Sequence, residues 1–397
     1  MNSFNCCEDL VLLQYVFLGK EKVIPPTENS RTYPSVNGSI ENNLKKGFCP
    51  KKAVFTVESE VGGLENARNA SELPKRSQAY EINRKNVVAE KEEDPLKKLL
   101  LKQREQGSTG HGIVKRISCD ADSYTVALFT SRMIDNISNY CCSDNLGFLS
   151  AFCLDFTFEL GDYFALVTTF KNTSLYVKNT TRCPSMLGPV LLCHRKNEKV
   201  VKILFDAMLE ERRSLENSLK VIGMDGEKAI SNMACLSFPR ALLLLCLNHA
   251  RENIRRKITI DLKMSKEEAD KVLEEIFGAD TTVGLVHSLS PDDYDMRVEK
   301  LSEKWRNTSE IHDRFASYFV VYKQEQFKYH LCRYAVEASE VVDCPSFFYN
   351  NSCEFMNKLM KLWQGKKKID CLKFAEQVED IAKSQESDVL RAFMHLL

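Results

Sequence analysis

The segment Phe148-Leu149-Ser150-Ala151-Phe152-Cys153-Leu154-Asp155-Phe156-Thr157-Phe158 decides the fold, because large apolar side chains alternate along it with small and polar ones. One face of this period carries Phe152, Leu154, Phe156 and Phe158, and the other carries Ala151, Cys153, Asp155 and Thr157. A period of two residues predicts a β-strand with one face in a core. An acid inside such a strand is unusual, so Asp155 is the first candidate functional residue.

The sequence around this strand predicts an antiparallel meander. Glu159–Asp162 has the composition of a turn, Tyr163–Phe170 that of a returning strand, and Leu175–Lys178 that of a short third strand. An earlier strand is expected at Tyr124–Phe129. The sequence therefore predicts a sheet that begins with antiparallel pairing.

Helices and strands alternate after the meander. The expected order is a helix in 198–220, a strand at Leu219–Met224, a helix at Glu227–Cys235, a strand at Arg240–Leu247 and helices from 260 to about 342. This order predicts an α/β fold with a ribonuclease-H-like mixed sheet, in which parallel strands join the antiparallel meander. An all-helical insertion at about 260–345 precedes a last helix expected at Ser352–Trp363.

Three regions are expected along the chain. Residues 1–112 are expected to be poorly ordered, apart from a short helix near 94–106 that begins at Asp94-Pro95. Residues 113–363 form the ribonuclease-H-like domain, and residues 364–397 form a helical tail. A capping-box spacing from Ser265 to Glu268 marks the start of one helix of the insertion.

Composition excludes some classes of protein. The 397 residues carry 55 basic and 55 acidic side chains, so the formal net charge of zero argues against a broadly basic binder of nucleic acid. We expect no membrane segment, since no apolar run approaches the ~20 residues that span a bilayer. The 15 cysteines include no Cys-x-x-Cys pair, and we expect reduced thiols in an intracellular protein.

Two further carboxylates stand at informative places. Asp225 follows a strand and precedes Gly226, where ligand sites gather in α/β sheets, and Glu354 opens the last amphipathic helix. Each acid also has a plain structural reading. Asp155 could face solvent, Asp225 could cap a helix, and Glu354 could pair with Lys358. If the three acids meet, they form the oxygen-rich ligand set that two-metal phosphoryl transfer requires.

At this point the sequence resembles the transposase domain of Mutator-like elements (MULEs), a family of ribonuclease-H-like DDE transposases, over about Ile113 to Trp363. The motifs that carry the resemblance are Leu154–Phe158, Ile222–Ala229, Phe238-Pro239 with Cys246–Asn253, and Asn350–Lys361. The last departs from the family pattern in having Met360 where a Leu is usual.

The resemblance implies a function. Asp155, Asp225 and Glu354 would be the catalytic residues and would bind two Mg²⁺ or Mn²⁺ ions. The reaction would be hydrolysis and strand transfer at phosphodiesters of double-stranded DNA, at transposon ends and at a target, as in cut-and-paste transposition. A nuclear location is expected, and a homo-oligomer is an open alternative to a monomer.

The accessory residues are less well defined. Cys246 and His249 match the family's Cys-x-x-His step and are interpreted either as a buried Cys with a hydrogen-bonded His or as residues that position DNA or assist catalysis. Zinc is not expected there, because two residues do not complete a zinc site. The other candidates for contacts with DNA are Asn351, Asn357, Arg251, Arg255 and Arg256, and the arginines could equally form a solvated helix face.

The chain departs from the family at both ends. Residues 1–112 show no zinc-coordinating DNA-binding module, and no zinc-binding segment follows the catalytic domain. These departures suggest a truncated or degenerate copy, or a host gene derived from one. Two alternatives to an active transposase therefore stay open. One is a catalytically inactive or domesticated protein that binds DNA or protein, and the other is a ribonuclease-H-like nuclease with another substrate.

Overall fold

The computed structural model describes residues 32–394, except 47, 63–65, 67–70, 93, 110–111, 121–122, 143–148, 158–162, 280–281, 343, 345 and 365–368. The chain divides into two compact units, Met1–Asp94 and Pro95–Leu397. The break lies earlier than the boundary at residue 112 that the sequence suggested. The reason is that the helix beginning at Pro95 packs against the first strand of the second unit.

The described residues of the first unit form three helices, α1 (Pro34–Lys45), α2 (Pro50–Glu60) and α3 (Arg76–Glu92). A proline stands in the first turn of both α1 and α2, where a missing N–H costs nothing. The core of the unit consists of Val36, Ile40, Ala53, Val54, Val57 and Ala79. Residues 34–92 thus have more regular structure than the sequence led us to expect, because short apolar repeats at helical spacing suffice when three helices pack together. Residues 1–31 lie outside the described residues.

The second unit begins with a helix and two strands and continues through the sheet. Its first elements are α4 (Pro95–Thr109), β1 (Val114–Asp120), β2 (Ser123–Leu128), α5 (Ser131–Cys141), β3 (Phe152–Thr157), β4 (Phe164–Lys171), β5 (Ser185–Cys193), α6 (Glu198–Glu211), α7 (Leu215–Ser218), β6 (Val221–Met224), α8 (Lys228–Ser237) and β7 (Leu242–Leu245). The expected helix at Asp94-Pro95 is confirmed as α4, with the proline at its first position.

The rest of the unit is helical. After β7 come α9 (Leu247–Arg256), a π-helical turn (Lys257–Asp261), α10 (Lys266–Phe277), a 3₁₀ turn (Leu285–His287), α11 (Pro291–Arg306), α12 (Glu310–Tyr322), α13 (Gln324–His330), α14 (Arg333–Glu337), α15 (Asn351–Gln364) and α16 (Cys371–Met394). The capping box at Ser265 is confirmed, with both of its hydrogen bonds present. The last helix and the helical tail predicted from sequence correspond to α15 and α16.

One sheet organises the second unit. Within the described residues it has seven strands in the order β1-β2-β5-β4-β3-β6-β7. Strands β3, β4 and β5 pair antiparallel, as do β1, β2 and β5, whereas β6 and β7 continue parallel from β3. The chain is therefore an α/β protein with a mixed sheet, and β3 lies where antiparallel pairing changes to parallel pairing.

The third strand of the meander is not where the sequence placed it. The prediction of a strand at Leu175–Lys178 is wrong, because that segment is a loop without strand pairing in which Tyr176 is 70% exposed. The third strand is β5, which contains Gly188 and Pro189, residues that usually argue against a strand interior. Here the Thr168 hydroxyl donates to the Pro189 carbonyl at 2.7 Å, next to a register shift between Val167 and Thr169. Strand β1 and helix α5 were not predicted either.

The two faces of β3 pack against different groups of residues. Phe152, Leu154 and Phe156 belong to the main core. Ala151 and Cys153 belong to a second cluster, which also contains Phe348 and Cys353. The predicted alternation is thus confirmed for residues 151–156, whereas Phe148, Phe158 and the turn at 159–162 lie outside the described residues. The second face is covered by α15 and by the segment that leads into it.

The second cluster generates a stability prediction at Gly223. This residue pairs with Cys153, and a Cβ atom added to it would lie 2.0 Å from Cζ of Phe348. Gly223→Ala should therefore displace the Phe348 ring and lower the free energy of unfolding by about 1–3 kcal/mol. Urea unfolding followed by circular dichroism measures the change.

Gly107→Ala is the matched control, because nothing lies within 4 Å of an added Cβ atom in helix α4. We expect that variant to be neutral or to gain up to ~1 kcal/mol. Equal unfolding midpoints for Gly223→Ala and the wild type would contradict the close packing of Phe348 on β6.

Candidate acidic site

Asp155 lies inside β3 on the face that α15 covers. Its backbone pairs with Val167 of β4, and the residue is only 8% exposed. The reading of Asp155 as a solvent-facing residue on a half-exposed sheet is therefore wrong. Its carboxylate accepts a hydrogen bond at Oδ2 from Asn357 Nδ2 of α15 at 2.9 Å. The site thus begins with a buried acid that a side chain from a distant helix contacts.

Asp225 follows β6 directly, at the carboxyl end of the strand beside β3. Gly226 has a φ angle of +86°, which lets the chain turn away immediately after the acid. The backbone N–H of Glu227 donates to Asp225 Oδ1 at 3.0 Å and so orients the carboxylate. The N-cap of α8 is Glu227, so Asp225 is not the capping residue that the alternative reading suggested.

Glu354 lies in the first turn of α15, on the same side of the sheet as Asp155. Asn350 fixes the start of this helix, since its Nδ2 donates to the Leu154 carbonyl at 2.9 Å and its backbone N–H donates to Cys246 Sγ at 3.3 Å. The ion pair of Glu354 is with His249, with Nε2 and Oε1 3.9 Å apart. In the described part of the chain, no ion pair joins Glu354 to Lys358, contrary to the alternative reading of Glu354.

The three acids act on one another electrostatically. Burial, followed by the charges of Asp225 and Glu354, raises the pKa of Asp155 from 3.8 to about 7, although His249 and Lys196 oppose this rise. Polar contact with the Cys246 side chain and the charges of Asp155 and Asp225 raise the pKa of His249 to about 9. Acids from β3, the end of β6 and α15 therefore share one region, together with a histidine from α9.

The oxygen atoms of the acids and of Asn357 are of the kind that bind a hard cation, although they do not surround a single metal position. Among the described residues, no three His, Cys, Asp or Glu side chains surround a common point as metal ligands. Beside Asp155, however, Asn357 Oδ1 is a buried oxygen without a hydrogen-bond partner. Carboxylate and amide oxygens are ligands that Mg²⁺ and Mn²⁺ accept, and a cation would relieve the repulsion among the acids. The residues present therefore fit such an ion.

The accessory residues predicted from sequence divide into two groups. Cys246 is buried, His249 contacts Glu354, and Asn357 contacts Asp155, so these three lie at the acids. Asn351 is exposed at the start of α15, and the arginines belong to α9.

The arginines of α9 already have partners within the protein. Arg256 and Arg255 form ion pairs with Glu252 at 3.1 and 3.9 Å, and the Arg251 guanidinium lies 6.0 Å from the centre of the Phe277 ring. The charges of Arg255 and Arg256 are therefore partly neutralised by Glu252 of their own helix. The other basic cluster named from sequence, Lys366–Lys368, lies outside the described residues.

Sequence reasoning missed two charged residues at the site, Lys196 and Glu227. Lys196 follows β5 and affects the pKa of Asp155, and Glu227 is a fourth acid whose pKa burial raises. The spacing Asp225-x-Glu227 could have indicated the second residue. No local pattern marks Lys196, because it reaches the site only through the position of β5.

A separate cavity of about 750 Å³ lies near the start of β3. Its lining includes Ser150, Cys153, Lys171, Phe348 and Ser352, and none of the three acids belongs to it. Asp155 and Asp225 instead lie towards the carboxyl ends of β3 and β6, and Glu354 lies in the first turn of α15. The cavity is therefore not the acidic site.

Comparison with known proteins adds no family to these observations. The chain matches no protein-family model and no curated protein sequence. In the part of the chain that the structure describes, no helix has both the length and the apolar character needed to cross a membrane. The function has to be inferred from the side chains of the site.

The raised pKa of Asp155 predicts a dependence of stability on pH. Between about pH 4 and pH 7, the folded protein keeps a proton on Asp155 that the unfolded chain has released. The free energy of unfolding should therefore fall as pH rises through this window and stay lower above it. In metal-free buffer, Asp155→Asn should stabilise the protein by about 1–3 kcal/mol at pH 8 and have little effect at pH 4.

Thermal unfolding in EDTA at the two pH values measures this difference. Asp388→Asn is the control, because the Asp388 side chain is 67% exposed and remote in sequence from the acids. If Asp155→Asn changes the melting temperature equally at pH 4 and pH 8, Asp155 does not titrate as its surroundings indicate.

Proposed function

We propose that the chain is a ribonuclease-H-like DDE transposase of the Mutator-like type. The strand order β5-β4-β3-β6-β7 supports this, with three antiparallel strands followed by two parallel ones. Helices α6 and α8 make the crossovers before β6 and β7. This arrangement fits the ribonuclease-H-like sheet expected from the sequence, extended at one edge by β1 and β2.

The main support for the proposal is that three acidic residues act on one another in one region of the protein. Asp155, Asp225 and Glu354 come from elements far apart in the chain, yet both of the other carboxylates raise the pKa of Asp155. Clustered acids destabilise a folded protein unless something positive compensates, so their coincidence favours a site for cations and phosphate. Asp155 and Asp225 also lie towards the carboxyl ends of two neighbouring strands, β3 and β6, and in open α/β folds ligands bind at the carboxyl ends of the strands.

Each residue of the site has a part in the proposed reaction. Asp155, Asp225 and Glu354 would hold Mg²⁺ or Mn²⁺, which when bound activates a hydroxyl nucleophile and neutralises charge on the phosphate. Asn357 orients Asp155, and the Glu227 N–H orients Asp225. His249 contacts Glu354 and contributes positive charge beside the acids.

Double-stranded DNA is the proposed substrate, and a nuclear location is part of the proposal. A net charge of zero means that attraction to DNA has to come from local groups. His249 and Arg251 of α9 are candidates, since Arg255 and Arg256 already pair with Glu252. Binding of DNA ends by a homo-oligomer is compatible with this proposal.

A second candidate is a transposase-derived protein that binds DNA or protein without catalysis. One observation favours it. Within the described residues, no three potential ligands surround a common metal position. The two candidates differ in whether a divalent cation binds at the acids, so metal binding and nicking have to be measured on the same protein.

The transposase proposal predicts metal-dependent cleavage. The purified chain should nick or join double-stranded DNA in Mg²⁺ or Mn²⁺, and Asp155→Asn should reduce the rate to that of buffer alone. Mn²⁺ should also raise the melting temperature of the wild type and not that of Asp155→Asn, since the variant loses one charged ligand. Plasmid nicking and differential scanning calorimetry measure the two effects.

Asp388→Asn again serves as the surface control and should retain both responses. Nicking that is equal in the wild type and Asp155→Asn would refute an enzyme at this site. DNA binding without any Mn²⁺ stabilisation or nicking would instead support the non-catalytic candidate.

A further inference from the structure

Two lysines from distant parts of the chain lie near the turn that follows β6. Lys228 is the first residue of α8, three positions after Asp225, and its side chain is exposed. Lys323 stands between α12 and α13, within the helical block that precedes α15, and is half-buried. The sequence analysis assigned neither residue to a site.

The contacts of α13 show where Lys323 lies. His330 Nδ1 is 3.1 Å from the carbonyl oxygen of Leu243, so α13 lies along β7, the last strand of the sheet. Gln326 of α13 approaches the turn after β6, since a Cβ atom added to Gly226 would lie 3.5 Å from Gln326 Nε2. The Lys323 ammonium donates to Oε1 of the same amide at 3.0 Å. One amide therefore connects Lys323 to this turn.

The two ammonium groups repel each other. Burial and the charge of Lys228 lower the pKa of Lys323. Within the described residues neither lysine forms an ion pair, and the partner of Lys323 is the neutral amide of Gln326. Glu227, next to Lys228 in sequence, pairs with Lys196 instead. Two like charges without a carboxylate partner favour a ligand of negative charge.

The two lysines lie on the other side of the turn from Asp155. The Cβ position of Gly226 is also 3.3 Å from Leu245, which belongs to the main core. Asp155, by contrast, lies on the face that α15 covers. An anion at the lysines is therefore distinct from a phosphate at the acids. On a bound DNA strand it would be another phosphate, further along the backbone.

We propose that Lys228 and Lys323 together bind one backbone phosphate of the DNA, outside the phosphate that lies at the acids. Its oxygens accept hydrogen bonds from the two ammonium groups, and Gln326 Nε2 is a further donor at the same turn. Lysine suits this role, because it binds phosphate as a mobile point charge. Only binding is involved, with no covalent step, and the inference rests on the proposed function.

The shared phosphate predicts that DNA binding falls while stability does not. Lys228→Met removes a cation that attracts phosphate, so affinity for double-stranded DNA should fall by roughly 3- to 10-fold, equally for duplexes of different sequence. The same change removes the repulsion of Lys323, so the melting temperature should stay the same or rise. A lysine that only maintained the fold would lower the melting temperature when replaced, and that result would overturn the proposal.

The experiment uses the full chain. Affinity for fluorescent duplex oligonucleotides is measured by anisotropy in EDTA over a range of salt concentrations, and the melting temperature by calorimetry. Lys228→Met combined with Lys323→Met should lower the slope of log K against log salt by about one phosphate contact, and Lys228→Arg should keep the wild-type slope. Lys266→Met is the matched control, because Lys266 is the exposed first residue of α10, and it should leave both properties unchanged.

Two results for DNA binding would overturn the shared site. One is equal DNA affinity of Lys228→Met and Lys266→Met. The other is a slope lowered by about two contacts in the double variant, since the lysines would then bind separate phosphates. Lys228 is exposed, so the first comparison remains decisive if Lys323→Met does not fold.

Inorganic phosphate at constant ionic strength is the second probe. If it stabilises the wild type and not Lys228→Met, while DNA affinity is the same in both, the lysines bind a small anion and not DNA, which also overturns the proposal. A wild-type chain that binds neither DNA nor Mn²⁺ contradicts the proposed function itself.

Discussion

The hydrogen bond from Asn357 to Asp155 joins the last part of the fold to its central strand. Asp155 would be a costly buried charge if β3 were simply covered by an apolar helix. Helix α15 instead presents an amide to the carboxylate, while Asn350 at its start donates to the neighbouring Leu154 carbonyl. These two contacts set α15 on one face of the sheet and thereby bring Glu354 to the same edge as Asp225.

The directions of the strands on either side of β3 bring the other charged residues to the same end of the sheet as Asp155. Antiparallel strands on one side bring the end of β5, and with it Lys196, to the carboxyl end of β3. Parallel strands on the other side bring the turns after β6 and β7 there, with Asp225 and Cys246. Charged groups that are far apart in sequence thus lie at one end of the sheet, because β3 pairs antiparallel with β4 on one side and parallel with β6 on the other. The helical block between β7 and α15 is long, yet it returns the chain to this edge.

The sequence revealed the parts of the site that local patterns encode. Alternation in 151–156 gave the face of Asp155, and the order of elements gave the mixed sheet and the helix carrying Glu354. Strand β5 was missed because Gly188 and Pro189 look like a break. In the structure β5 pairs antiparallel with β4, and the Thr168 hydroxyl donates to the Pro189 carbonyl within that pairing. Lys196 was missed for the same reason, since its place depends on β5.

The electrostatics of the site follow from this construction. Burial and the other two acids raise the pKa of Asp155, whereas His249 and Lys196 lower it, so the protein already contains a partial set of counter-charges. Those two cations are held differently, since His249 contacts Glu354 from α9 and Lys196 rests on aromatic rings of β3 and β4. A divalent cation would replace such counter-charges at the acids, while a phosphate would draw on them. The coexistence of the acids and these counter-charges is therefore the feature on which the proposed cation site depends.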